Sequence, residues 1–179
     1  EFLKDDLGLD LPKRESIKGV LASLKSREAV GKVNALLVKG NASALVVPLH
    51  IKIQPGNGQL HCQVRGSEAF RSAVECAQLN MRERGFLSES DDVIYTLDLT
   101  DIPYQGSSLG LAAAVGMYDT KQSLASDPYT AFTGEINLVG PEWTIKAVNS
   151  VNQKLAAAKR AGCRRVFIPR ANCAEITGS

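Results

Sequence analysis

The spacing of the hydrophobic residues changes along the chain, and this change constrains the fold more than any other feature. Segments 32–38 and 44–53 are apolar and rich in β-branched residues, with a turn-forming stretch at 39–42 between them. Segment 60–65 alternates polar and apolar residues, as half-buried strands do. Hairpin strands followed by alternating helices and strands predict a mixed α+β domain.

A helix is predicted ahead of these strands. Apolar residues recur at helical spacing between residues 14 and 29, and the other faces of this segment are charged. We therefore expect a helical arm or linker at residues 1–29 and a single folded domain at residues 30–179. A chain of 179 residues is long enough to bury a core without disulfide bonds.

Strands and helices are expected to alternate in the second half of the chain. The predicted strands have alternating or β-branched residues and lie at residues 93–99, 132–138 and 165–169. The predicted helices each have an apolar stripe and lie after Ser67, at residues 109–118 and at residues 147–161.

Charge and hydropathy exclude several classes of protein. The chain has 21 basic and 19 acidic residues, a net charge of +2, which gives no concentrated basic surface for nucleic acid. No apolar run approaches the roughly 18 residues of a membrane-spanning helix, and the N-terminal residues lack the apolar segment of a signal peptide. We therefore expect a cytoplasmic protein with neither nucleic acid nor a membrane among its partners.

The cysteines show no sign of a metal or disulfide framework. None of the four stands in a C-x-x-C pair, and none has a histidine at metal-ligand spacing. They are expected to be small buried residues with reduced thiols. In particular, Cys62 is expected on the core face of its strand, with His61 on the opposite face.

The clearest chemical signal is the run Gly-Ser-Ser-Leu-Gly at residues 106–110. It fits G-x-S-x-G, a pattern typical of a sharp turn that exposes a nucleophilic serine, here Ser108, at the start of a helix. The amide groups of that helix end would be available to a developing oxyanion. From the pattern alone, a serine that only caps the helix is at least as good an interpretation.

A nucleophilic serine needs a base, and neither histidine of the chain suits this role. His50 and His61 both precede Ser108, which excludes the Ser–Asp–His order of α/β-hydrolases. A triad in which the histidine precedes the serine is the disfavoured alternative, because the strand of His61 shows no paired carboxylate and His50 ends an apolar run, so both are expected to be structural. The remaining candidate for the base is a lysine.

Among the lysines after the serine, Lys154 has the most unusual position. It falls on the apolar stripe of the helix predicted at 147–161, one turn from both Val151 and Ala158. Desolvation would lower the pKa of its amine toward the value that a neutral general base requires. A lysine that extends from the edge of the stripe into solvent fits the pattern equally well.

Longer stretches of the sequence resemble Lon proteases. Residues 133–140 (TGEINLVG) resemble the family's T-G-E-I-x-L-x-G segment, and residues 154–172 (KLAAAKRAGCRRVFIPRAN) resemble its K-L-x-A-A-x-R-A-G-x-x-x-V-x-I-P-x-x-N segment. Residues 55–60 (PGNGQL) are similar to its P-G-x-G-x-L strand. The resemblance runs from about residue 30 to the C-terminus, with the motifs in the same order.

The resemblance implies a fold, a mechanism and a set of site residues. The fold is an α+β proteolytic domain of the ribosomal protein S5 domain 2-like type, and the activity is that of a serine endopeptidase with a Ser–Lys dyad. Ser108 matches the nucleophile and Lys154 the base. Thr133 matches a threonine that orients the lysine amine, and backbone N–H groups around residues 106–108 would hold the oxyanion. The implied supporting residues are Thr133, Gly106, Ser107 and Glu135.

The loop around the nucleophile departs from the family pattern. The family has Asp-Gly-Pro-Ser-Ala-Gly at this place, whereas residues 104–110 read Tyr-Gln-Gly-Ser-Ser-Leu-Gly and lack both the acidic residue and the proline. Ser107 is a less favoured alternative nucleophile. The altered loop also motivates an alternative function, a non-catalytic Lon-fold module for assembly or substrate docking.

The resemblance also implies partners. Lon proteases act on polypeptides and commonly form rings of six subunits, so a homo-oligomer is expected. An ATPase motor often precedes the proteolytic domain, but this chain has no G-x-x-x-x-G-K-[ST] phosphate-binding motif. We therefore expect no cofactor or metal in this chain, and ATP only where a separate or deleted motor domain uses it.

Overall fold

The computed structural model describes residues 30–39, 43–62, 68–98, 106–139 and 141–176. The predicted arm at 1–29, the turn residues 40–42 and the helix cap at Ser67 lie outside the described residues. The mixed α+β architecture is confirmed. The segment predicted as one strand at 132–138 forms two strands, at 130–132 and 135–139, and the strand at 142–146 was not predicted.

The described residues form eight strands and three α-helices. The strands are β1 (Lys32–Lys39), β2 (Ser43–Pro55), β3 (Leu60–Cys62), β4 (Asp91–Leu97), β5 (Thr130–Phe132), β6 (Glu135–Val139), β7 (Glu142–Lys146) and β8 (Arg165–Phe167). The helices are α1 (Glu68–Glu83), α2 (Gly110–Lys121) and α3 (Val151–Arg160), with a 3₁₀ helix at Arg170–Glu175.

Six strands form one mixed sheet in the order β3-β4-β2-β1-β5-β8. The central strands β1, β2 and β4 pair antiparallel, whereas β3, β5 and β8 join the sheet in parallel. The predicted hairpin of β1 and β2 is confirmed, with Lys39 opposite Ser43 next to the turn. Strands β6 and β7 form a separate antiparallel hairpin.

The sheet has helices on both faces. Successive residues of a strand point to opposite faces, and Leu37 of β1 belongs to the main core with Phe70 of α1 and Met117 of α2. Its neighbour Leu36 packs on the other face with Ala158 of α3. The domain therefore has three layers, with α1 and α2 on one side of the sheet and α3 on the other.

The helix that carries Lys154 begins later than the sequence predicts. Helix α3 starts at Val151, not at residue 147, because Ser150 has left-handed backbone angles (φ 60°, ψ 35°) that a right-handed helix cannot include. Residues 147–150 are an irregular segment, called the wall segment below. Ala147, predicted to lie on the buried stripe, is exposed.

The cysteines are less buried than predicted. Cys62 lies opposite buried Tyr95 and so shares its face of the sheet, but β3 is an edge strand, and Cys62 is exposed there. Cys173 is also exposed, and Cys76 and Cys163 are half-buried. None of the four thiols forms a disulfide bond.

In the part of the chain that the structure describes, no helix is long and apolar enough to cross a membrane.

Candidate active site

A cleft of about 540 Å³ lies where the loop before α2, the start of β6 and the wall segment meet. Each of these elements contributes to its lining. Five of the residues singled out from the sequence lie in this lining, namely Gly106, Ser107, Ser108, Glu135 and Lys154. The fold therefore gathers residues that are up to 48 positions apart in the chain, as Gly106 and Lys154 are, at one surface opening.

Ser108 is held in place by its own backbone. Its carbonyl accepts a hydrogen bond from the N–H of Gly134 (3.0 Å), and the N–H of Leu111 donates to the Gly134 carbonyl (3.0 Å). A side chain at Gly110 would place its Cβ 2.9 Å from the nitrogen of Ile136, so this position requires glycine. The second glycine of the G-x-S-x-G pattern thus allows the serine turn to approach β6.

The serine does not cap the helix, as the simpler interpretation of the motif proposed. The N-cap residue of α2 is Leu109, and no side chain caps this helix end. Leu109 itself is buried in the main core. The Ser108 hydroxyl lines the cleft and forms no side-chain hydrogen bond within the described residues.

Two of the helix-end amides are not available to an oxyanion. The N–H of Gly110 donates to the Ser107 carbonyl (3.2 Å), and that of Leu111 is the one bound to Gly134. In contrast, the N–H groups of Ser107 and Ser108 donate to no backbone carbonyl in the described residues. Gly106 has φ +89°, a conformation that favours glycine.

Lys154 is the most unusual residue of the cleft. It lies on the buried face of α3, with only 2% of its surface exposed, so it does not extend into solvent. Its Nζ donates to the hydroxyl oxygen of Thr133 at 3.0 Å. Burial disfavours the charged amine and lowers the pKa of Lys154 to about 8.

Thr133 is fixed for this contact. It is fully buried, directly after β5, and its N–H donates to the carbonyl of Phe167 in β8 (3.0 Å). The pairing of β5 with β8 therefore fixes the backbone of the residue whose hydroxyl binds Lys154. No described carboxylate forms an ion pair with Lys154.

Ser107 and Glu135 form a polar pair at the side of the cleft. The Ser107 hydroxyl donates to one carboxylate oxygen of Glu135. The other carboxylate oxygen lies 3.9 Å from Nζ of Lys146 on β7. Two of the four sequence-predicted supporting residues thus bind each other. Among the described residues, the Ser107 hydroxyl has a side-chain partner, whereas that of Ser108 has none.

Both histidines lie outside the cleft. The expectation that His61 lacks a carboxylate partner is wrong, and His50 has such a partner as well. Nε2 of His50 lies 2.5 Å from Oδ1 of Asp98, and Nε2 of His61 lies 3.6 Å from Oδ2 of Asp92. These pairs depend on the register of β4 with β2 and β3, which the sequence pattern does not reveal. Within the described residues, no group of three His, Cys, Asp or Glu side chains is placed to hold a metal ion.

Sequence reasoning missed the residue that holds the wall segment. Asn172, in the 3₁₀ helix, is fully buried and forms two hydrogen bonds with the backbone of Val148. The sequence did contain a signal for this residue, because Asn172 is the last residue of the run at 154–172 that resembles Lon proteases. Only the structure shows what its carboxamide binds.

Residues 21–178 match the family model of the Lon protease C-terminal proteolytic domain. The chain belongs to this family.

Three relatives show the same likeness at modest identity. The archaeal Lon protease of Halobacterium salinarum is 29% identical over 153 residues, which is 82% of this chain and 21% of the relative. Lon protease 2 of Bacillus subtilis is 28% identical over 177 residues, 90% of this chain and 30% of the relative. The archaeal Lon protease of Archaeoglobus fulgidus is 26% identical over 152 residues, 82% of this chain and 24% of the relative. The chain thus spans less than a third of the length of each.

Proposed function

We propose that this chain is a serine peptidase domain in which Ser108 is the nucleophile and Lys154 is the general base. The observation that carries the proposal is a buried amine with a lowered pKa in the cleft that Ser108 lines. Burying a lysine without a counterion destabilises a fold, so a purely structural role gives no reason for an amine at this position. A general base that must be neutral gives such a reason.

The first step is proton transfer from the Ser108 hydroxyl to the neutral amine of Lys154. Thr133 accepts one amine hydrogen, which directs the nitrogen lone pair toward a second partner. The activated Oγ attacks the carbonyl carbon of a peptide bond and forms a tetrahedral intermediate. The Lys154 ammonium then gives its proton to the leaving amine.

The oxyanion of that intermediate requires donors that are already in place. The N–H groups of Ser107 and Ser108 suit this role, since no described carbonyl accepts from them. The nearby N-terminus of α2 adds a favourable dipole. In the second half of the reaction, Lys154 accepts a proton from the water that attacks the acyl-enzyme, and it returns this proton to Oγ of Ser108 as the bond between Oγ and the acyl carbon breaks.

The polar pair favours Ser108 over Ser107 as the nucleophile. The Ser107 hydroxyl donates to Glu135, and this carboxylate is also 3.9 Å from Lys146. Ser107 therefore acts in this proposal as a support that fixes the loop before the nucleophile. The loop lacks the family's proline, and the Ser107–Glu135 contact replaces part of the stiffness that a proline would give.

The wider role is proposed from the family alone. The relatives carry the name protease, and we propose polypeptides as the substrates of this chain. The S5 domain 2-like classification, the cytoplasmic location, a homo-oligomeric ring of six and an ATPase motor as partner stay predictions. The same holds for the absence of a cofactor from this chain.

The proposal is tested by hydrolysis of casein and of a mixed peptide library, together with fluorophosphonate labelling. We expect the wild-type chain to cleave and to be labelled at Ser108. Ser108→Ala and Lys154→Met should each lower hydrolysis by about a thousandfold or more. Lys159→Met is the matched control for the lysine, since Lys159 is exposed on the same helix. Ser107→Ala loses only the contact with Glu135 and should lower hydrolysis far less than Ser108→Ala.

Two results would contradict the dyad. One is a wild-type chain that neither cleaves nor is labelled, which would favour the non-catalytic module. The other is hydrolysis that survives in Ser108→Ala but disappears in Ser107→Ala, which would reverse the roles of the two serines.

A further inference from the structure

We infer that Asn172 is a positioning residue that holds the wall segment of the cleft and thereby sets the start of the helix that carries Lys154. The inference rests on the proposed function, because a positioning residue acts through the reaction of others. Its evidence is a set of hydrogen bonds between two segments that the sequence places 24 residues apart.

The carboxamide of Asn172 matches the backbone of Val148 as a neighbouring strand would. Its Oδ1 accepts from the Val148 N–H at 2.9 Å, and its Nδ2 donates to the Val148 carbonyl at 2.9 Å. The second hydrogen of Nδ2 goes to Oε1 of Glu175 at 2.9 Å. Both amide donors are therefore used, and the orientation of the side chain is fixed by three partners.

The wall segment depends on this contact because it has no regular secondary structure of its own. All four of its residues line the cleft. Both hydrogen bonds to Val148 are buried, so solvent could not replace the carboxamide without opening the segment. The side chain of Asn172 thus forms the hydrogen bonds with the Val148 backbone that a neighbouring strand would form in a sheet.

The contact is transmitted to Lys154 through Ser150. This residue lies two positions after Val148, and its left-handed conformation is uncommon for serine because the Cβ crowds the backbone. The Ser150 carbonyl accepts the hydrogen bond of the Lys154 backbone N–H at 3.0 Å. Strained residues persist where their surroundings fix them, and here Asn172 fixes the segment that leads into Ser150.

The direct test is Asn172→Asp, which keeps the shape of the side chain. It replaces the amide donor by a carboxylate oxygen that faces both the Val148 carbonyl and the Glu175 carboxylate. The concentration of active sites is counted by fluorophosphonate labelling of Ser108 in a parallel sample. We expect the turnover number per active site to fall by about a hundredfold, with a much smaller change in KM. Repulsion between the new oxygen and the Val148 carbonyl should push the two segments apart although the other oxygen can still accept from the Val148 N–H, so the Val148 amide should exchange faster than in the wild type.

Two further variants keep the test decisive. Glu175→Ala removes only the outer hydrogen bond, at an exposed position, and should have a smaller effect in the same direction. Asn152→Ala is the matched control, since Asn152 also binds the 3₁₀ helix, through the Glu175 carbonyl at 2.9 Å, but not the wall segment. This control should behave as the wild type.

The outcomes separate the inference from the proposed function. Wild-type exchange at Val148 and a wild-type turnover number in a folded Asn172→Asp would overturn the inference. If that variant does not fold, the same result in Glu175→Ala overturns it. If the wild type does not hydrolyse peptides, the proposed function is refuted. Two measurements that need no hydrolysis still decide whether Asn172 holds the segment. They are hydrogen exchange at the Val148 amide and the pH at which acetylation of Lys154 reaches half its maximal rate, each compared between the wild type and Asn172→Asp.

Discussion

Lys154 is the residue whose chemistry differs most from its ordinary behaviour. Its pKa is lowered from 10.5 to about 8 because α3 buries the amine against Thr133. The same burial that suits a general base destabilises the folded state. The residue therefore links the proposed activity to the stability of the domain.

The stability penalty of Lys154 has a defined pH range. Below pH 8 the amine is charged in both the folded and the unfolded chain, and the full penalty applies. Above pH 10.5 it is neutral in both, and the penalty disappears. We expect Lys154→Met to raise the free energy of unfolding by about 2–3 kcal/mol at neutral pH, and by little at the alkaline end.

Denaturant unfolding of the wild type and the variant over this pH range checks the prediction. Lys159→Met serves as the control, because an exposed lysine carries no such penalty. A Lys154→Met variant that is less stable than the wild type at neutral pH would show that the amine stabilises the fold.

At the scale of the elements, the join between the wall segment and α3 decides where the base lies. Sequence periodicity predicted one helix from residue 147, since alanine and valine there continue the apolar stripe. The break at Ser150 was not predictable, because neither glycine nor asparagine marks the left-handed position.

Ser150→Gly should stabilise the chain, because glycine adopts this conformation without steric strain. We expect a gain of about 1 kcal/mol, or about 2–4 °C in Tm for a domain of this size. Ser150→Ala should give no gain in stability, because alanine keeps the Cβ that causes the strain. It should cause no loss either, since the serine side chain forms no capping hydrogen bond. Thermal unfolding of the three proteins measures this, and equal Tm values for the glycine and alanine variants would contradict it.

At the scale of the whole molecule, the sequence predicted what depends on local pattern and missed what depends on strand neighbours. The stripe placed Lys154 on the apolar side of its helix without deciding between burial and extension into solvent, and the G-x-S-x-G turn placed Ser108 before a helix. The edge position of Cys62 follows from the strand order, and the contact of Asn172 with Val148 joins two distant segments. Neither is encoded in periodicity.

The candidate site was predictable to a similar extent. Thr133 and Glu135 were found through the resemblance to Lon proteases, because no local pattern ties either residue to the serine or the lysine. The wall segment was missed since it was assigned to a helix. The three-layer fold brings these parts together through the pairing of β5 with β8 and the packing of α3 on the sheet.

The central claim, a Ser108 nucleophile with a Lys154 base, is tested most directly by the pH dependence of Ser108 acylation. The rate of fluorophosphonate labelling is measured between about pH 6 and pH 10, where the neutral fraction of the amine changes most. The dyad predicts a rate that rises with pH and reaches half its maximum near pH 8. It also predicts that Lys154→Met loses both the rate and its pH dependence, whereas a wild-type profile in that variant would contradict the account.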